Sequence, residues 1–112
     1  RGLALGMSEK LRILYVDDSA VQLDAFRRSL AGGEYEICTV SNPREAPEQL
    51  QRFAPALVVI DYAMPHMNGG ECLQLLKRSQ RGDGPRYYLY TTDADAFRRH
   101  REMGFDGVLM LK

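Results

Sequence analysis

No apolar run in the sequence is long enough to cross a bilayer, and the opening Arg1-Gly-Leu-Ala-Leu-Gly6 lacks the long apolar segment of a secretory leader. Cysteine is scarce. Cys38 and Cys72 fall in stretches that read as a strand and a helix, which excludes a disulfide-stapled scaffold and predicts a reducing cytoplasm. Net charge is missing too, because fifteen basic and fifteen acidic side chains cancel. That removes any broad attraction to nucleic acid or to an anionic membrane surface. No glycine-rich phosphate loop follows the first apolar run, against a dinucleotide or nucleoside-triphosphate fold. His66 and His100 lack partners at metal-ligand spacing and read as surface residues. Repeats and low-complexity tracts are absent. The 112 residues leave no room for a second core, so function is expected in a local site of one small domain. Met7 is read as the native start, with residues 1–6 foreign to the fold.

What is present is an alternation. Arg12-Ile-Leu-Tyr-Val16, Glu36-Ile-Cys-Thr-Val40, Ala56-Leu-Val-Val-Ile60, Tyr87-Tyr-Leu-Tyr90 and Val108-Leu-Met-Leu111 have the character of strands. Between them, Val21, Leu23, Phe26 and Leu30, and later Leu73, Leu75 and Leu76, follow helical spacing. Repeated strand–helix units imply an α/β fold, a parallel sheet covered on both faces. Ser19 with Gln22, Asn42 with Glu45 and Asn68 with Glu71 each place a capping oxygen three residues before a side chain that can reach back. Pro47, four residues after Pro43, predicts a second helix that starts late or irregularly, and Gly104 predicts a helix stop. Tyr87, Tyr88 and Tyr90 alternate faces, so they are not a platform for stacking bases.

In open parallel sheets functional groups gather beyond the carboxyl ends of the strands. Asp17 and Asp18 follow the first predicted strand, Asp61 the third, Thr91 and Thr92 the fourth, and Lys112 the fifth. Carboxylates crowded into one crevice repel unless a cation joins them, and an all-oxygen set with room for water suits magnesium. A carboxylate can itself attack phosphorus to give an acyl phosphate, with metal and lysine offsetting charge on the transferred group. Asp61, alone at its strand end, is the candidate nucleophile. Lys112 is then placed to contact one phosphoryl oxygen and Thr91 to donate a hydrogen bond to another.

Val16-Asp-Asp-Ser19, Asp61-Tyr-Ala-Met-Pro-His-Met-Asn-Gly69, the Thr91-Thr92 pair and Gly104-Phe-Asp-Gly107 ahead of Lys112 resemble the receiver-domain signature of two-component response regulators. The resemblance runs from Met7 onward, so residues 7–112 are expected to form one receiver domain. It implies a flavodoxin-like, doubly wound, five-stranded parallel sheet of order 2-1-3-4-5. Asp61 would be the phosphoacceptor, with Asp18, Asp61 and the Ala63 carbonyl as direct ligands to Mg2+ and Asp17 acting through a water. Thr91 and Lys112 would accompany the phosphoryl group. The implied donor is a sensor histidine kinase or phosphotransfer protein, and the output would lie in an attached or separate domain. Such a module catalyses only its own phosphorylation and dephosphorylation, and is not otherwise an enzyme.

Two departures from the family pattern carry expectations. Receivers continue past the lysine through a proline into a fifth helix, which is missing here and would leave one sheet face apolar and open. Residues lost beyond Lys112 or a second chain, for example in a homodimer, would then cover it. Receivers also often carry an aromatic residue three positions before the lysine, where this sequence has Leu109, beside Val108 should an extra residue form a bulge. Two other functions compete with a phosphorylated module. One is a receiver-like interaction module that no longer accepts phosphate. The other is a haloacid-dehalogenase-like phosphatase, whose Asp-x-Asp spacing the adjacent Asp17 and Asp18 do not match.

Overall fold

The computed structural model describes residues 10–110. Met7, read as the start, and Lys112, read as a site residue, lie outside the described residues. Five strands form, β1 (Leu11–Val16), β2 (Tyr35–Val40), β3 (Leu57–Asp61), β4 (Arg86–Thr91) and β5 (Gly107–Met110). All neighbours pair in parallel in the order β2-β1-β3-β4-β5, as the resemblance implied. The chain winds outward from β1 to β2 and then returns to β3, so the direction reverses between β1 and β3. A crevice therefore opens at their carboxyl ends.

The helices are α1 (Ala20–Ser29), α2 (Ala46–Phe53), α3 (Gly69–Ser79) and two short segments, α4 (Ala94–Arg98) and α5 (His100–Met103). Alternation along the strands sorts side chains to two faces. Leu14, Val16, Val58, Ile60, Tyr87 and Leu89 pack with Leu50 of α2 and Cys72, Leu73 and Leu76 of α3. Ile13, Tyr15 and Val59 pack on the opposite face with Leu23 and Phe26 of α1 and with Leu30 just past its end. Because β1 and β3 are covered on both sides, Ile13–Val16 and Leu57–Ile60 are continuous apolar runs. Among the described residues, α1 alone supplies a helix to the second cluster. Tyr88 and Tyr90 are only half-buried there, and Leu109 is 37% exposed.

Local chemistry sets most helix ends. The Ser19 hydroxyl accepts the Gln22 amide, and Asn68 with Glu71 makes both hydrogen bonds of a capping box. Asn42 behaves differently from expectation. Its side chain accepts from Arg44, opening a 3-10 turn at Pro43–Glu45, and α2 then begins at Ala46 with Pro47 in its first turn. The first-turn amides of a helix have no internal acceptor, so the N–H that proline lacks is not missed there. Gly104 ends α5 with φ of 105°, a left-handed conformation that suits glycine. The pairing of β4 with β5 is continuous from Tyr88–Gly107 to Thr91–Met110, with no bulge.

One close approach ties a helix to the strand that ends in Asp61. A Cβ added at Gly69 would lie 2.7 Å from the Asp61 carbonyl oxygen and 2.9 Å from the Tyr62 Cα. The Gly69 amide also donates to the Tyr62 carbonyl at 2.8 Å. The first residue of α3 thus presses directly on the backbone leaving β3. Helix propensity alone would make Gly69→Ala stabilising by about 1 kcal/mol. We expect the opposite sign, a loss of about 1–3 kcal/mol, because the added carbon meets backbone that cannot swing aside. Urea unfolding of the two chains decides between these signs.

Candidate functional site

Asp17 and Asp18 leave β1, and Asp61 is the last residue of β3, so the reversal of winding brings all three acids to one crevice. Each offers a carboxylate oxygen, and the three oxygens lie within 4.8 Å of one another. Their surroundings differ. Asp17 is 2% exposed, and its amide continues the ladder by donating to the Val40 carbonyl. One of its carboxylate oxygens accepts from the Tyr15 hydroxyl at 2.5 Å and the other from the Ser19 amide at 2.9 Å. Ser19 therefore serves the site and caps α1 together. Asp18 is exposed, and Asp61 is partly buried.

Burial pushes the Asp61 carboxyl up to about 7, with the nearby Asp17 and Asp18 charges adding to the effect. Burial also raises Asp17, although the hydrogen bonds from Tyr15 and Ser19 pull the other way. The Tyr15 phenol is raised as well, first by burial and then by its bond to Asp17, so it remains a proton donor.

Thr91 ends β4 and is 3% exposed. Its oxygen accepts the Asp93 amide at 2.9 Å, which leaves the hydroxyl proton free for another acceptor. Asp93 in turn caps α4 by accepting from Asp95 and Ala96, a cap that sequence spacing did not reveal. The loop after Asp61 is folded by the Met64 and Gly69 amides, both donating to the Tyr62 carbonyl. Among the described residues no hydrogen bond is made to the Ala63 carbonyl, so that oxygen keeps its acceptor capacity.

The site thus brings three carboxylates together, with no described cation paired to an acid of the cluster. An all-oxygen donor set of this charge fits a hard dication. A cleft of about 550 Å³ opens beside Asp18, lined by Asn42, Pro43, Arg44, Pro65, His66 and Met67. His66, read as a surface residue, is exposed at the cleft edge with φ of 69°. Of the sequence-derived site residues, Asp17, Asp18 and Asp61 are brought together, with Thr91 at the neighbouring strand end. Sequence reasoning missed Tyr15, whose hydroxyl lies two residues from Asp17 on the same strand face. Strand alternation was the available signal, since residues i and i+2 share a face.

Residues 13–111 match the family model described as the response regulator receiver domain. Response regulator Rre1 of Synechocystis sp. is 30% identical over 105 residues, which cover 81% of this chain and 46% of that protein. Response regulator MprA of Mycobacterium leprae is 36% identical over 85 residues, 75% of this chain and 36% of its own length. The chain spans less than half the length of these curated relatives. Chemotaxis protein CheY4 of Vibrio cholerae superposes with a TM-score of 0.80 at 23% identity, covering 90% of this chain and 86% of that one. The response regulator TrrA of Thermotoga maritima, solved in complex with Mg(2+)-BeF, gives 0.77 at 24% identity, with the same two coverages. These two likenesses establish the fold. No described helix is long and apolar enough to cross a membrane. With the family model matched over almost all of the sheet that carries the acids, the chain belongs to the response regulator receiver domains of two-component signalling.

Proposed function

We propose that Asp61 is the phosphoacceptor and that the crevice holds Mg2+ through Asp18, Asp61 and the Ala63 carbonyl, with Asp17 acting through a water. The observation that carries this reading is the convergence of three carboxylate oxygens within 4.8 Å from two strand ends. Magnesium would supply neutralisation of the acids and of charge developing on the transferred group. An Asp61 carboxylate oxygen attacks the phosphorus of a phosphohistidine on a histidine kinase or phosphotransfer protein. The P–N bond breaks, and the departing imidazole keeps the electron pair and gains a proton. Thr91 donates its free hydroxyl proton to one phosphoryl oxygen, and Lys112 pairs with another. The output belongs to an attached domain or a separate partner. The complete acidic cluster favours a phosphorylated module over an interaction module that has lost the chemistry, and the family match leaves the phosphatase reading unsupported.

Three outcomes test this reading. With magnesium and acetyl phosphate or phosphoramidate, intact mass should show one phosphoryl adduct sensitive to hydroxylamine. Asp61→Asn should abolish that adduct while the domain stays folded, and an equally phosphorylated variant would remove Asp61 from the role.

Calorimetric titration with magnesium should show Asp18→Ala losing more affinity than Asp17→Ala, since only Asp18 touches the ion directly. Equal losses would contradict the ligand assignment.

The third outcome concerns pH. The Asp61 carboxyl of the folded chain is raised from 3.8 to about 7, so the metal-free fold keeps a proton that the unfolded chain releases above about pH 4. Stability without metal should therefore fall as pH rises from about 4 through 7. Asp61→Asn should flatten that fall and be more stable than the parent at pH 8 by about 1–2 kcal/mol, allowing for solvent screening of a partly exposed group. Urea unfolding at pH 5 and pH 8, with and without magnesium, reads the difference.

A further inference from the structure

Tyr15 is 0% exposed and among the largest fully buried side chains, yet it carries a hydroxyl that burial would penalise if it were left unpaired. Its partner is Asp17, at a distance within the short range of a charge-assisted O–H to carboxylate bond. We propose that Tyr15 is a positioning residue for metal binding, its hydroxyl holding the Asp17 carboxylate in one fixed orientation at the crevice. The inference rests on the magnesium reading above.

Three observations support it. Each Asp17 oxygen has one fixed donor, Tyr15 on one side and the Ser19 amide on the other, so rotation of the carboxylate breaks both bonds. Each oxygen also keeps a lone pair for a further partner. The Tyr15 ring cannot swing freely, because its centroid lies 4.3 Å from that of Phe26 on α1 and 5.7 Å from that of Tyr90 on β4. No described cation pairs with Asp17, so these two neutral donors are its electrostatic support. Asp17 itself lies beyond the metal's direct ligands, and losing such a partner weakens affinity by roughly ten- to a hundredfold, which sets the upper bound on what loss of its Tyr15 support can cost. Phe26 and Tyr90 thereby connect α1 and the residue before Thr91 to the orientation of one acid.

Tyr15→Phe keeps the ring and its neighbours while deleting the donor. Magnesium affinity should fall severalfold in this variant, by no more than in Asp17→Ala, whereas in an Asp17→Ala background the same substitution should cost almost nothing. Urea unfolding of all four chains without metal reports whether each is folded. In the parent, the Tyr15 hydroxyl proton should appear by NMR as a slowly exchanging resonance that moves on magnesium addition. That measurement stands even if Tyr15→Phe does not fold. An unchanged affinity in Tyr15→Phe, an equal loss in the Asp17→Ala background, or a hydroxyl resonance that is absent or unmoved by magnesium overturns the positioning role alone. A parent chain that binds no magnesium overturns the metal reading and this inference with it.

Discussion

Like charges crowded into a partly dry crevice repel, and the carboxyl end of this sheet is arranged around that repulsion. At a separation of 4.8 Å two carboxylates repel by about 3 kcal/mol at an effective dielectric constant near 20. Each acid answers in its own way. Asp18 stays in water, Asp17 is buried with two hydrogen-bond donors, and Asp61 is pushed toward keeping its proton. The fold tolerates this strain because the backbone of each buried acid is fixed by sheet pairing, Asp17 to Val40 and Asp61 to Tyr90. A dication placed among the three would remove the cause of the repulsion, so the tension in the free protein and the proposed affinity for metal have the same origin.

The two sheet faces divide the remaining work. The face covered by α2 and α3 carries most of the apolar packing, including the fully buried Leu14, Ile60, Leu73, Leu76 and Leu89. The other face is thinner and more aromatic. Tyr15, Phe26 and Tyr90 lie within ring-contact distance of each other, and Leu109 pairs with Tyr90 across β4 and β5. Asp17 and Asp61 continue the alternation of Tyr15 and Val59 on this same face. The chemistry is thus built on the less densely covered side, while the denser side fixes the strands. Gly69 joins the two by letting α3 approach the end of β3 without an intervening side chain.

Much of this architecture was legible before any coordinates. Apolar and β-branched runs bounded by polar segments located the four completely described strands to within a residue at each end, most plainly in β1 and β3, whose buried stretches are apolar on both faces. The acids were legible through order, since residues just after successive strands meet at one sheet edge. Strand order came from the family resemblance and not from spacing. The features that escaped are those whose partners depend on three-dimensional contact or on fine local geometry. Tyr15 reads as one more apolar strand residue, and only packing reveals that its hydroxyl meets Asp17. Asn42 has the spacing of a capping box, but the prolines on either side of Glu45 favour a tighter 3-10 turn closed through Arg44. The helical stretch before Gly104 breaks at Arg99, where the arginines at 98 and 99 both turn back to Asp95.

The chain contains six tyrosines and no tryptophan, so its near-ultraviolet emission is not drained into indole. Tyr15 and Tyr90 lie beside the acidic crevice, and the Tyr15 phenol is bonded to one of its carboxylates. A phenol donating to a carboxylate emits weakly, because the excited ring readily loses its proton along that bond. An event that draws negative charge away from Asp17 would weaken that quenching path at Tyr15. The aromatic cluster gives this domain a built-in optical reporter of its own acid site, readable without a dye or an engineered label.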